Sequence, residues 1–446
     1  MAGLSPQKIA MLRTLVSASP DELVRTLEQA IGADGAGGPL AAIGAMVEAE
    51  AAERALRYAV LEPVAPLFRA PVAGGGPAWP RTALKAIWAA LNAESPALIR
   101  EASDARHYLE PEDPSPEIFD QLCLQAAEGL LEGRSPEYVA AAEACNAASP
   151  GGAAEVILCL RIAPIARPIC RQLTDWIHRI TEERRAIARL AYRDATGLAD
   201  GGGPLLFEML AAQLRHPEMI LRIVSAVMDH PAERYLAGSE LARFGERTLE
   251  EIEAQLDLLR SIQPGAGIEA GRQAGLAVQR AVDAVGELEE AVQLSRDGAW
   301  GQRLTKLKQA LAGTVEARLR EIDEAAAHAL PTQKLRYSAR LSRTAPKLTD
   351  PPDEPAINWA TGLLTFAETV RPSAPDGGFG GVRKKVLETL GKRIDQYVED
   401  VLEQIRLGEV EDDERAREFL GVAATLLALV RDDRSAAIVR RRAAAA

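Results

Sequence analysis

A helix-start signal recurs through the first half of this chain. Ser95-Pro96, Ser115-Pro116-Glu117 and Ser135-Pro136-Glu137 begin 20 residues apart, and Ser5-Pro6, Ser19-Pro20-Asp21-Glu22, His216-Pro217-Glu218 and His230-Pro231-Ala232-Glu233 have the same form. Serine offers an N-cap oxygen, proline at the first helical position gives up an amide hydrogen that has no partner there, and an early carboxylate meets the positive end of the helix dipole. So many starts so close together imply many short helices. Few sequences of this kind fold into anything but an all-α protein.

Composition agrees. Aromatic residues make up 4% of the chain, while alanine, leucine, glutamate and arginine dominate, a mixture that loses little side-chain freedom in helices. Val156–Ile162 is the one strand-like run, but it lacks a partner run and lies between helical segments, so it reads as a buried helix. With 446 residues and 47% hydrophobic content, the chain can bury several cores.

Four segments follow from punctuation and periodicity. Residues 1–80 read as short helices closed by the Pro71–Pro80 break (PVAGGGPAWP), and residues 81–238 as an array of helices with turns at the Ser-Pro and His-Pro sites. Two such helices make a hairpin of about 40 residues, the size of a HEAT-like unit. The apolar positions do not repeat in register, so an irregular array is the other expectation. In residues 239–330 the stripes Leu249, Ile252, Leu256, Leu259, then Val278, Ala281, Val285, Leu288, Val292, then Leu304 through Ile322 follow the 3-4 spacing of a packing seam. Three antiparallel helices in an elongated bundle would bury them. Residues 331–446 read as a basic segment and a C-terminal helical subdomain. There Leu387, Leu390, Ile394, Val398, Val401 and Ile405 continue the seam, Glu409–Glu414 starts a last apolar helix, and Asp433–Ala446 continues as a frayed, arginine-bearing tail.

The net charge of −12 argues against wholesale wrapping of nucleic acid or adsorption to an anionic membrane. Arginine outnumbers lysine 43 to 9, and seven of the nine lysines fall at or after Lys306. The longest apolar run near the C-terminus, Phe419–Val430, is 12 residues long, whereas a spanning helix needs about 20. The N-terminal residues mix charge into an amphipathic pattern rather than forming a signal peptide. Cys123, Cys145, Cys159 and Cys170 contain no CxxC pair, and a reducing cytoplasm is the expected home.

No catalytic constellation stands out. The histidines form neither HExxH nor paired Glu-x-x-His motifs, the cysteines lie among alanine and leucine as core residues do, and GxSxG is absent. No catalytic residue, metal ligand or cofactor is therefore expected. An all-helical enzyme assembled from scattered residues such as Asp175, His178, Glu182 and Tyr192 is the alternative. Asp376–Gly381 followed by Arg383, Lys384 and Lys385 resembles a phosphate loop but lacks the GK[ST] ending and the preceding strand.

Pro331–Thr349 is the strongest anomaly. It carries Lys334, Arg336, Arg340, Arg343 and Lys347 and no acidic residue. The four- and three-residue spacing of Arg336, Arg340 and Arg343 predicts one helix face, ended by Pro346. These five cations are the expected partner-binding residues, with a solvated face or pairing to the acidic bundle as the competing view. The function expected from the sequence is a non-catalytic cytoplasmic scaffold that binds other proteins through helical surfaces. A peripheral tether to an anionic membrane or nucleic acid through the basic C-terminal third is the other binding expectation.

Overall fold

The computed structural model describes residues 6–34, 39–71, 75–110, 113–228, 230–336 and 342–446. The protein is all-α: among the described residues there are 19 α-helices and one two-stranded sheet. The chain divides into two compact units, Met1–Asp229 and His230–Ala446.

The first unit contains α1 (Pro6–Ala18), α2 (Asp21–Asp34), α3 (Pro39–Val60), α4 (Arg81–Glu94), α5 (Pro96–His107), α6 (Glu117–Glu132), α7 (Pro136–Ala148), α8 (Gly152–His178), α9 (Glu182–Leu198), α10 (Gly202–Ala212) and α11 (Ile220–Val227). The Ser-Pro signals lie at the starts of α1, α2, α5, α6 and α7, yet the serines do not all act as caps. Ser135 accepts from the Tyr138 amide, whereas the Ser95 hydroxyl donates to Gln125 and the Ser115 hydroxyl accepts from Arg171. Proline sets the helix start at these sites, and tertiary contacts redirect the hydroxyl.

Packing in this unit mixes sequence neighbours, such as α2 on α3 and α9 on α10, with pairs that skip one or more helices. Helix α4 lies chiefly on α7, and α6 on α8, instead of consecutive hairpins stacking in order. Val156–Ile162 sits inside α8, with Val156 and Ile162 fully buried. A small separate core of Val16, Val24 and Val47 joins α1, α2 and α3. Within the Pro71–Pro80 break, Trp79 is buried, its amide donates to the Leu67 carbonyl and its ring lies 5.6 Å from that of Phe68. This residue pins the end of the glycine-rich stretch back to the segment that precedes it.

The second unit contains α12 (Glu233–Leu236), α13 (Ala242–Ser261), α14 (Ile268–Ala291), α15 (Ala299–Ala329), β1 (Thr332–Arg336), β2 (Ser342–Pro346), α16 (Glu354–Thr369), α17 (Gly380–Leu407), α18 (Asp413–Val430) and α19 (Asp433–Ala445). The three seams of α13–α15 are buried along their length, with Ile252, Leu288, Leu319 and Ile322 fully so. A fourth helix shares that core, because α16 packs on both α14 and α15. Its approach to α14 depends on Gly271 and Gly275. A β-carbon on Gly271 would lie 1.9 Å from the Gly362 carbonyl oxygen, and one on Gly275 would lie 2.4 Å from Thr369. The small residues let the two backbones nearly touch.

At the C-terminus the structure corrects the expected tail. Residues Asp433–Ala445 form a helix that packs on α18, started by Asp432, whose carboxylate accepts from the Ser435 amide at 2.7 Å. Ala436, Val439 and Ala443 supply its buried stripe. The seam of α17 also differs at both ends: Leu390, Ile394, Val398 and Val401 are buried, but Leu387 and Ile405 are only half-buried.

Candidate functional site

The basic segment does not form the expected helix. Thr332–Arg336 and Ser342–Pro346 pair as an antiparallel hairpin in the register Thr332 with Pro346, Lys334 with Thr344 and Arg336 with Ser342. Residues 337–341, between the two strands, lie outside the described residues. Pro331 stops α15 from running on, and Pro346 ends the second strand. Arg336 and Arg343 therefore stand on paired strands and not on one helix face.

The structure treats the five cations differently. Lys334 is exposed on β1, and no described carboxylate pairs with it. Arg336 has its backbone in β1 opposite Ser342, and Arg340 lies outside the described residues. Arg343 reaches α17, where its Nη2 donates to Glu403 at 2.6 Å and Asp400 at 3.3 Å. The hydrogen bond to Glu403, reinforced by Asp400, holds this guanidinium above its ordinary pKa. Lys347 donates to Asp350 at 2.6 Å, which holds that carboxyl below its usual range, and the Lys347 amide donates to the Pro331 carbonyl. Nearby, Arg415 Nη1 donates to the Thr349 carbonyl. Arg343 and Lys347 thus tie the hairpin to its surroundings, while Lys334 presents charge to solvent.

Other arginines neutralise the same half of α17. Arg431 forks onto Asp395 at 2.6 and 3.1 Å, and Arg442 of α19 onto Glu399. The Arg442 hydrogen bonds hold Glu399 below the usual carboxylate range.

The residues weighed for catalysis are not gathered. Asp175, His178 and Glu182 are exposed, and Tyr192, ten residues farther along α9 than Glu182 and so about 15 Å away, stacks on Phe207. Burial raises the thiol pKa values of Cys123 and Cys145 to about 11 and those of Cys159 and Cys170 higher still. Such thiols hold little thiolate at neutral pH. His328 sits beside Trp359 with Nδ1 2.9 Å from the Glu324 carbonyl, and His216 lies 3.4 Å from Glu218. Among the described residues, no group of three or more His, Cys, Asp or Glu side chains is arranged to hold a metal ion. No described helix is long and apolar enough to cross a membrane.

The Asp376–Gly381 loop is built around buried Phe379. The Gly377 amide donates to the Ser373 carbonyl and the Gly380 amide to the Ala374 carbonyl, so both are committed to the loop's own backbone. Compared with protein-family models, curated protein sequences and solved structures, the chain finds no match.

Proposed function

We propose that this is a non-catalytic cytoplasmic scaffold that holds other proteins, and that the hairpin of the second unit is its contact for an acidic polypeptide segment. The proposal rests on one observation: an acid-free hairpin displays the exposed cation Lys334 on a chain of net charge −12. Among the described residues, no other strand pairs with β1. An extended acidic segment would meet complementary charge, and the outer edge of β1 would supply backbone hydrogen-bonding groups. Arg343 and Lys347 then serve to position the hairpin, and Lys334, Arg336 and Arg340 to contact the partner. Helical surfaces of both units supply further area for partners. Four free thiols support a reducing compartment.

The test is charge reversal at Lys334, Arg336 and Arg340, leaving the Arg343 ion pairs in place. Fluorescence anisotropy with a labelled poly-glutamate peptide should show binding that weakens with salt and is lost in the triple variant at unchanged melting temperature. Wild-type binding by that variant would overturn the proposal. Phosphatidylserine vesicles and a single-stranded oligonucleotide run beside the peptide; preference for either, with the same loss, would replace the scaffold by a tether.

A further inference from the structure

Helix α17 carries its charges in the reverse of the favourable order. Its first half bears Arg383, Lys384, Lys385, Lys392 and Arg393 against the single acid Glu388, and its second half Asp395, Glu399, Asp400 and Glu403 against Arg406. A helix dipole favours acids at the start and bases at the end. In the second half each of these carboxylates is met by an arginine from another element. The first half is compensated only in part: Arg383 pairs with Glu368 and Arg393 with Asp323. Its first turn contains no acid, and the Phe379 N-cap makes no side-chain cap. Lys384 has only Glu388, 3.9 Å away, and no described carboxylate pairs with Lys385 or Lys392.

Along this half of α17, reaching the end of α18, runs an open groove of about 420 Å³. Two of its cations are fixed. Arg383 donates from Nε to the Ala367 carbonyl at 2.6 Å and from Nη2 to Glu368 at 3.0 Å, and Arg431 is forked onto Asp395. Gly391 makes room for the latter, since a β-carbon there would lie 3.0 Å from Arg431 Nη2. The other two cations, Lys384 and Lys392, are exposed and stand two helical turns apart, about 12 Å along the axis. Leu387 and Val430 add a half-buried apolar wall, and Glu388 is the carboxylate among the lining residues. Leu387 belongs by its spacing to the seam of α17, so its position in the groove leaves an apolar surface beside four cations.

We propose that this groove binds a phosphate-bearing ligand with an apolar portion. Lysine and arginine recognise phosphate oxygens by charge-assisted hydrogen bonds, and the groove lies within the size range of small-molecule sites. Glu388 reduces the attraction for every anion by the same fraction, so a phosphate dianion, with the larger charge, keeps the larger net attraction. The bound anion supplies counter-charge to the exposed ammonium groups of Lys384 and Lys392. Leu387 and Val430 hold the organic part.

Isothermal titration of the full chain at low salt tests this with phenyl phosphate as the soluble probe and phosphatidylcholine vesicles containing phosphatidic acid as the lipid probe. Lys384→Gln/Lys392→Gln is the variant; both positions are exposed, so its melting temperature should match wild type. Saturable binding that weakens roughly tenfold or more in this variant is expected, from the loss of two charged hydrogen-bond donors. Lys334→Glu on the hairpin should bind as wild type does, which keeps this site distinct from the polypeptide contact. Binding of phenyl phosphate but not vesicles identifies a free phosphate ester, and the converse a lipid headgroup. Absence of binding to both probes, or equal binding by the double variant, overturns the proposal.

Discussion

Arginine, not histidine or cysteine, is where this molecule places its buried charge. At five helix C-termini an arginine from another helix of the same unit donates to the last carbonyls. Arg54 bonds Val16 and Ser17 at the end of α1, Arg167 bonds Ala59 and Val60 at the end of α3, and Arg184 bonds Asp175 and Arg179 at the end of α8. In the second unit Arg318 bonds Leu259 and Ile262 after α13, and Arg383 bonds Ala367 in α16. A guanidinium fork can satisfy two adjacent carbonyls and oppose the negative end of the dipole, which a single ammonium does less well. Arg167 is the most buried, at 1% exposure, and also pairs with Asp120 at 2.7 Å. Arg167→Met should destabilise the protein by about 3–5 kcal/mol, because it strands a carboxylate and two carbonyls, and Arg167→Lys should recover little; urea unfolding measures both. The cysteines behave oppositely, as inert packing. With burial holding Cys123 and Cys145 near 11, Ellman's reagent at pH 7.5 should label the native thiols slowly and all four rapidly in denaturant. Rapid labelling of Cys123 or Cys159 in the native protein would contradict their burial.

At the scale of elements, the 3-4 seams of α13, α14, α15 and the middle of α17 are legible because apolar spacing along one helix directly sets its buried face. Leu256→Ala and Leu288→Ala should each cost about 2–5 kcal/mol in thermal or denaturant unfolding, as both side chains are buried. The partner that closes this core is less legible. Gly271-x-x-x-Gly275 on α14 is the sequence trace of the α16 crossing, but glycine in a helix is ordinarily a weakness rather than a contact. Gly271→Ala should destabilise by about 1–3 kcal/mol or more, because the new methyl meets a backbone carbonyl that cannot move aside. Gly286→Ala, in open space on the same helix, should be neutral or stabilising by about 0.5–1 kcal/mol. The hairpin shows the reverse error. Counting arginines at helical spacing found a face, whereas Arg336 and Arg343 stand on two paired strands.

For the whole molecule, charge pairing is distributed unevenly between the two units. In the second, hydrogen bonds from Arg303 to Glu253, Arg272 to Glu269, Arg442 to Glu399 and Lys347 to Asp350 hold these carboxyls below their ordinary values. A carboxyl depressed in the folded state contributes stability above its unfolded pKa, and that contribution disappears as pH falls through the folded pKa. In the first unit the exposed Glu132 is also lowered, by Arg134, but Glu62 is raised, chiefly by burial, so its ionisation works against folding as pH rises through its range. Acidification from pH 7 to below the carboxylate range should therefore weaken the second unit more than the first. Hydrogen exchange followed separately in α13–α19 and in α3–α11 measures this. The difference should shrink in high salt, because these pairs are largely exposed.

By itself the sequence determined the all-α class, where most helices start and which residues line the seams of α13–α15. Each of these depends on interactions within about one or two helical turns, such as a proline that cannot donate, an apolar side chain every third or fourth residue, or a charge near a helix end. Only the tertiary structure decided that α16 enters the bundle, that Asp433–Ala445 docks on α18, that serines at helix starts serve distant partners, and that Leu387 faces a cationic groove rather than the core. Those outcomes turn on which surfaces meet across tens to hundreds of residues. Local spacing states that a face is apolar or charged; it does not name the face opposite, and for Arg343 or Gly271 the opposite face is what gives the residue its role.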